Sequence, residues 1–220
     1  MRQLIVALVL LIGVIAAPSA EAGPPALRQG TEFGPDSESA LVVFEVAPPH
    51  SVVAPWDLEL YGFNPETHRW TMTLTRGWSD FGTLSFGRFY AGLVVPAGIY
   101  AVNSVKTQNF WIACMNGGTV AFDLQAGRVN YLGVLDPSDA LAQVASGLSR
   151  TTRGAVLTLY DTPRLGYTPA TDVPDWESRA QAFLAANYPG VRAPIVAPAP
   201  IETTFEPSRS FISGRTCAPW

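Results

Sequence analysis

Asp57 and Glu59 are the first place where this chain could do chemistry. Acids spaced by two on a strand share one face. A glycosidase needs two such carboxyls roughly 5–10 Å apart across a cleft. Pairs of this kind also line the wet faces of ordinary sheets, and no further sugar-binding constellation surrounds this one. The two histidines are His50, behind Pro48-Pro49, and His68, ahead of Trp70. A metal site would need them to converge with a carboxylate such as Asp57, Glu59 or Glu66. No His-Glu-x-x-His pattern is present, and solvated loop histidines are the simpler reading. Gly82-Thr83-Leu84-Ser85-Phe86-Gly87 is one residue too long for a nucleophile elbow, and Ser104 stands two rather than three before Lys106. No catalytic residue, metal or cofactor is therefore assigned.

The aromatic residues carry a stronger signal. Trp56, Trp78, Phe81, Phe86 and Tyr90 gather around the segment Arg76 to Arg88, which contains Gly77, Gly82 and Gly87. Rings on a glycine-rich loop stack on sugars or fill a partner's pocket. Capping the open end of a β-structure is the structural alternative. Trp56, Trp78, Phe81 and Tyr90 are the candidate binding residues.

Charge narrows the partners. The net charge is -4, the only lysine is Lys106, and no basic run occurs. Nucleic acid is excluded as a partner on that footprint. Charged residues make up 15% of the chain, against about 25% in an average domain. Such a chain either buries much of itself or presents apolar surface to a partner.

Cys114 and Cys217 are the only cysteines. In an exported protein two cysteines pair, and this pair would close a loop of 103 residues (217 minus 114). Chain entropy puts such a loop at about 4–5 kcal/mol. Two free thiols, one buried and one on a tail, are the alternative. A metal site needs more ligands than these two.

Export is read from the first 22 residues. Arg2 supplies a charge, Leu4 to Ala17 is apolar, Pro18 breaks the run, and Ala20-Glu21-Ala22 has cleavage-site spacing. The run falls short of the ~20 residues of a membrane span. The expectation is a signal peptide cut after Ala22, with an uncleaved anchor as the alternative. No cysteine follows to accept a lipid, and nothing downstream could span a bilayer as a helix. Residues 23–220 are then periplasmic or extracellular, and suit one domain with an appendage or two small ones.

The elements that would position these groups are mostly strands. Residues 23–38 read as a disordered lead-in. Eight strands follow over 39–136: Leu41 to Val46, Asp57 to Phe63, Arg69 to Thr75, Phe86 to Val95, Ile99 to Val105, Phe110 to Met115, Thr119 to Leu124 and Val129 to Leu135. Asn116-Gly117-Gly118 predicts a hairpin between two of them. The class is mainly β, an antiparallel sandwich of immunoglobulin-like or prealbumin-like type. Residues 137–190 read as a helical extension with one further strand at Ala155 to Tyr160. Its best helix spans Asp172 to Tyr188, with an apolar stripe of Trp176, Ala180, Phe183 and Leu184 and a polar end at Asn187. Residues 191–220 are proline-rich and read as an extended tail that Cys217 could strap across the domain. Trp220 stands where outer-membrane barrels end on an aromatic, but no alternation leads up to it.

Val94-Val95-Pro96-Ala97-Gly98-Ile99-Tyr100 and Phe122 to Gly133, with its Ala126-Gly127 turn and Tyr131, resemble small bacterial envelope domains of periplasmic or lipoprotein type. The resemblance covers about residues 40–136. It implies a fold and a compartment and transfers no catalytic residue. The expected role is a non-enzymatic, exported binding or structural protein of the bacterial envelope, with an envelope protein or glycan as partner. The alternative is a hydrolase of envelope polymer or sugar using Asp57, Glu59 or a histidine.

Overall fold

An apolar run that does not alternate belongs to a strand covered on both faces, and strand β1 (Ser39–Val46) is such a strand. Ala40, Val42, Phe44 and Val46 join one buried cluster. Leu41 and Val43 join a second on the opposite face. The structure is a computed structural model that describes residues 27–47, 56–71, 83–85, 88–107, 111–148, 157–210 and 214–217.

The strands that follow are β2 (Trp56–Asn64), β3 (Arg69–Trp70), β4 (Thr83–Ser85), β5 (Arg88–Pro96), β6 (Gly98–Thr107), β7 (Trp111–Cys114), β8 (Thr119–Leu124) and β9 (Val129–Asp136). Helix α1 (Ser138–Leu148), β10 (Leu157–Leu159), β11 (Gly166–Thr168), α2 (Trp176–Asn187), β12 (Ile195–Val196), β13 (Pro200–Thr203), β14 (Ser208–Ser210) and β15 (Gly214–Thr216) follow among the described residues. The first sheet runs β11-β9-β1-β5-β4, with β12 also on β9. The second runs β10-β7-β6-β2-β3, with β8 on β6 and β13 on β8. The fold is mainly β, with two principal sheets in a sandwich-like arrangement and two helices.

Most strand positions match the sequence reading, but the strand read over Arg69 to Thr75 is seen only as Arg69–Trp70, with 72–75 outside the described residues, and strand directions do not match. The expected sandwich was antiparallel throughout, whereas β1 with β9, β10 with β7, and β12 with β9 are parallel. Parallel neighbours need a long crossover. Between β1 and β9 that crossover is most of the second sheet, a non-local path that period-two alternation does not encode.

The Asn-Gly signal was misleading as well. β7 and β8 do not form a hairpin. Both lie antiparallel to β6, β7 against Ser104–Thr107 and β8 against Gly98–Ala101. A 3₁₀ turn at Met115–Gly117 interrupts what is otherwise one long strand. Asn116 is spent elsewhere: its Nδ2 donates to Asp161 Oδ1 at 2.6 Å, and its Oδ1 accepts the Asp161 N–H at 2.9 Å. The turn thus docks the loop before β11.

The ends of the chain also depart from expectation. Of the stretch 23–38 read as a disordered lead-in, 23–26 lie outside the described residues, while Leu27 and Phe33 are buried in the second cluster and Phe33 bridges Val191. Residues 191–210 supply β12 and β13, one to each sheet, rather than a free polyproline-like run. The boundary read at 136 is crossed by β10, β11, β12 and β13, which all complete sheets begun earlier. In α2 the predicted stripe holds: Ala180, Phe183 and Leu184 are buried against the first sheet, and Trp176 is half-buried beside them. Asp175 sits at the N-cap in a left-handed conformation, and its side chain makes no cap hydrogen bond.

Gly133 marks where β9 changes partners. Its φ is 100°, and a Cβ there would lie 2.3 Å from the Thr168 carbonyl oxygen and 2.8 Å from Ala170 N. Gly133→Ala should cost about 2–3 kcal/mol from backbone strain and collision. A lower urea midpoint would show it; an unchanged midpoint would contradict the close approach.

Tyr167, on β11, donates its hydroxyl proton to the Leu132 carbonyl at 2.8 Å. Burial first, and the Asp172 carboxylate second, push its phenol pKa well above the usual 10.0. The unfolded chain therefore loses this proton near pH 10 while the folded chain keeps it, so this contribution to stability is present below pH 10 and lost above it. Thermal melts should fall more steeply above pH 10 for the parent than for Tyr167→Phe. Identical slopes would refute the assignment.

Candidate functional site

Of the residues singled out for chemistry, the second sheet carries Trp56, Asp57 and Glu59 on β2 and Cys114 on β7. Leu58, Leu60 and Phe63 of β2 all join one buried cluster; Glu59 and Tyr61 alternate with the two leucines along the strand and are buried as well. Glu59 pairs opposite Ser104 across the ladder, just before a bulge in register. Its Oε2 accepts the Ser104 hydroxyl at 2.7 Å, and its Oε1 takes the Lys106 ammonium. Glu59 is only 3% exposed. Burial of a carboxylate is tolerable when its lone pairs are met in this way. The lone lysine is thus committed to a partner 47 positions earlier.

Beside this polar cluster lies an aromatic one. Trp70 pairs opposite Phe63 in β3. Its ring centroid lies 5.0 Å from Phe63, 5.9 Å from Tyr61 and 4.6 Å from Phe205. Such tilted and edge-on pairs are the favoured aromatic geometry. The Trp70 Nε1 donor is buried without an acceptor. In the β2–β3 turn the Asn64 side-chain oxygen accepts the N–H groups of Glu66 and Thr67, which leaves His68 with a φ of 54°. The His68 ring reaches the Thr204 carbonyl at 3.0 Å and the Thr203 hydroxyl at 3.2 Å. It meets no carboxylate among these partners. Among the described residues, no group of three His, Cys, Asp or Glu could hold a metal.

Cys114 stands opposite Ser104 in the β6–β7 ladder and is bonded to Cys217, with a Cα–Cα distance of 5.6 Å. That spacing is normal for a disulfide. Asn103, fully buried at the bulge, donates to the Cys217 carbonyl at 2.8 Å. No sequence pattern pointed to Asn103.

Of the candidate binding aromatics, the backbone places two. Trp56 opens β2 in the second sheet, and Tyr90 lies in β5 of the first, paired in register with Glu45 and Thr83. Trp78 and Phe81, like His50, lie outside the described residues. Asp57 is placed on β2 opposite Lys106 by its backbone alone.

A second buried charge was missed entirely. Glu45, 0% exposed, accepts the Tyr131 hydroxyl at 2.6 Å and pairs with the Arg179 guanidinium of α2. Trp176 stacks on Tyr131 with centroids 5.2 Å apart and planes 11° from parallel. A glutamate inside the β1 apolar run was the available signal. Its partner is 134 positions away.

Two surface grooves lie among the described residues. One, of about 450 Å³, lies between the β2–β3 turn and the β5–β6 corner, against Asn64, Glu66, Thr71 and Ile99. The other, of about 540 Å³, runs between α2 and the segment before β12, against Glu177, Gln181, Leu184, Arg192 and Ile195. Among the described residues, no helix is long and apolar enough to cross a membrane. Comparison with family models, with curated proteins and with solved structures found no match.

Proposed function

We propose that this chain is an exported, non-enzymatic β-sandwich protein with a binding or structural role in the bacterial envelope. The observation that supports it most is the Cys114–Cys217 bond, which ties the C-terminal segment to the second sheet. Such bonds persist where thiols are not kept reduced. The apolar leader and its cleavage-type spacing point to the same compartment. A non-catalytic role is favoured by how the buried charges are used. Glu59 is committed to Lys106 and Ser104, and Glu45 to Arg179 and Tyr131. A general acid or base has to be free to exchange its proton with a substrate.

The ligand class we favour is an envelope protein or glycan, taken by rings from Trp56, Trp78, Phe81 and Tyr90. The hydrolase alternative would require Glu59 to leave its lysine, or Asp57 or a histidine to act without it.

The compartment is tested by fusing the full chain to alkaline phosphatase, which is active only after export, and to green fluorescent protein, which is dark after Sec export. Active phosphatase and a dark fluorescent fusion are expected. An inactive phosphatase beside a bright fluorescent fusion overturns the reading. Binding is tested by sedimenting residues 23–220 with purified cell-wall glycan and with envelope membranes. Retention that is lost in Trp78→Ala is expected. Parent protein that stays in solution in both mixtures overturns the binding role.

A further inference from the structure

Two opposite charges stand on the two walls of the groove between α2 and the segment leading into β12. One wall is a stripe of α2, where Glu177, Gln181, Leu184 and Ala185 recur at helical spacing. The other wall is the chain from Val191 to Ile195. Backbone bonds fix that wall. The Arg192 N–H donates to the Phe33 carbonyl at 2.8 Å, the Pro194 carbonyl accepts the Val129 N–H at 3.0 Å, and Ile195 pairs with Val129. The helix wall is fixed by the buried Ala180 and Phe183 and by the Arg179–Glu45 pair. The groove is therefore formed before any ligand arrives. Its volume of about 540 Å³ falls within the range of small-ligand sites, about 300–1,000 Å³.

The fold makes no use of these two charges. The ion pairs among the described residues are Lys106–Glu59, Arg164–Glu202 and Arg179–Glu45. Glu177 and Arg192 belong to none of them, do not pair with one another, and are both exposed. Leu184 is buried, and Val191 and Ile195 are half-buried, so the rest of the lining is largely apolar. One anion, one cation and an apolar lining complement a molecule with a charge of each sign and an apolar middle.

We propose that this groove binds a short peptide with free ends, its carboxylate on Arg192 and its ammonium on Glu177. A guanidinium takes a carboxylate through two parallel N–H bonds. The exposed Gln181, one turn beyond Glu177, is placed to meet a peptide group between the two ends. The α2 stripe from 177 to 185 covers about 12 Å at about 1.5 Å per residue. That is the length of about three or four extended residues at about 3.3 Å each. The site shares no residue with Trp56, Trp78, Phe81 and Tyr90, so its test is independent of the binding reading above.

NMR titration of the full chain with the tripeptides Ala-Leu-Ala, Ala-Phe-Ala and Ala-Lys-Ala tests it. Each is used with free ends, acetylated at the N-terminus, and amidated at the C-terminus. Exposed charge contacts are individually weak, so a Kd of about 1 mM or below is expected for free peptide. Amide shifts should saturate at Gln181, Ala185, Arg192 and Ala193, and blocking either end should weaken binding about tenfold. Glu177→Gln should erase the difference between free and acetylated peptide, and Arg192→Gln the difference between free and amidated peptide. The comparison of free with blocked peptides needs no variant, so it decides the matter even if a variant misfolds. The proposal is overturned if no peptide saturates the groove by about 10 mM, if blocked peptides bind as tightly as free ones, or if the folded variants keep the parent's preferences.

Discussion

Arg179→Met should lower the free energy of unfolding by about 3–5 kcal/mol, the cost of removing one partner from a buried ion pair. The size follows from position. Glu45 is fully buried on the face of β1 that α2 covers, and Arg179 reaches it from that helix. Without the guanidinium the carboxylate must stay charged in a poorly solvating place or take up a proton, and either is costly. The Tyr131 hydroxyl bond and the Trp176–Tyr131 stack belong to the same assembly, so the effects will not be additive. Replacing all three polar partners, as Glu45→Leu, Tyr131→Phe and Arg179→Met, should bring stability back to within about 1 kcal/mol of the parent, since buried pairs rarely outperform apolar packing. Urea unfolding of the parent, the single variant and the triple variant decides it. A triple variant as unstable as Arg179→Met would show that the packing of α2, and not the charge, sets the cost.

Loss of the Cys114–Cys217 bond is the second large effect. Its loop of 103 residues corresponds to about 4–5 kcal/mol in the chain-entropy model. Most of that arises in the unfolded chain, which becomes free to expand. Domains of this size are stable by about 5–15 kcal/mol, so the reduced protein should remain folded with a much lower midpoint. Guanidinium unfolding of oxidised and reduced protein measures the difference. A change below about 1 kcal/mol would mean that strain in the folded state cancels the entropic gain.

These two effects show how far the sequence could be read. Strand positions were legible wherever apolar and polar residues alternated or a β-branched run ended at proline. β1, β2, β5, β6, β8 and β9 fall where pattern put them. Partners were not legible. Asn116-Gly117 carries strong hairpin chemistry, yet its side chain is claimed by Asp161, a residue 45 positions on. Tertiary demand overrode a local signal. The proline-rich C-terminal stretch read as tail because each of its strands is only two to four residues long. Segments that short acquire strand geometry from an existing sheet edge and have little periodicity of their own. Residues 27–38 failed for a related reason: Leu27 and Phe33 are isolated apolar residues in polar surroundings, and only the second buried cluster gives them a purpose.

The site divides the same way. The disulfide was legible because two cysteines leave one possible pairing. Glu59 was legible as an acid, but its role was not, since Lys106 and Ser104 come to it across β2 and β6. Glu45 could have been flagged as a charge inside an apolar run. Arg179 could not have been matched to it from any spacing.

The account depends most on covalent closure of the C-terminal segment in the compartment where the protein resides. Peptide mapping by mass spectrometry without reductant, on protein alkylated as its cells are broken, tests this directly. The account predicts one linked species joining the peptides of Cys114 and Cys217, with neither cysteine alkylated. Both cysteines alkylated, or either one joined to another molecule, would contradict it.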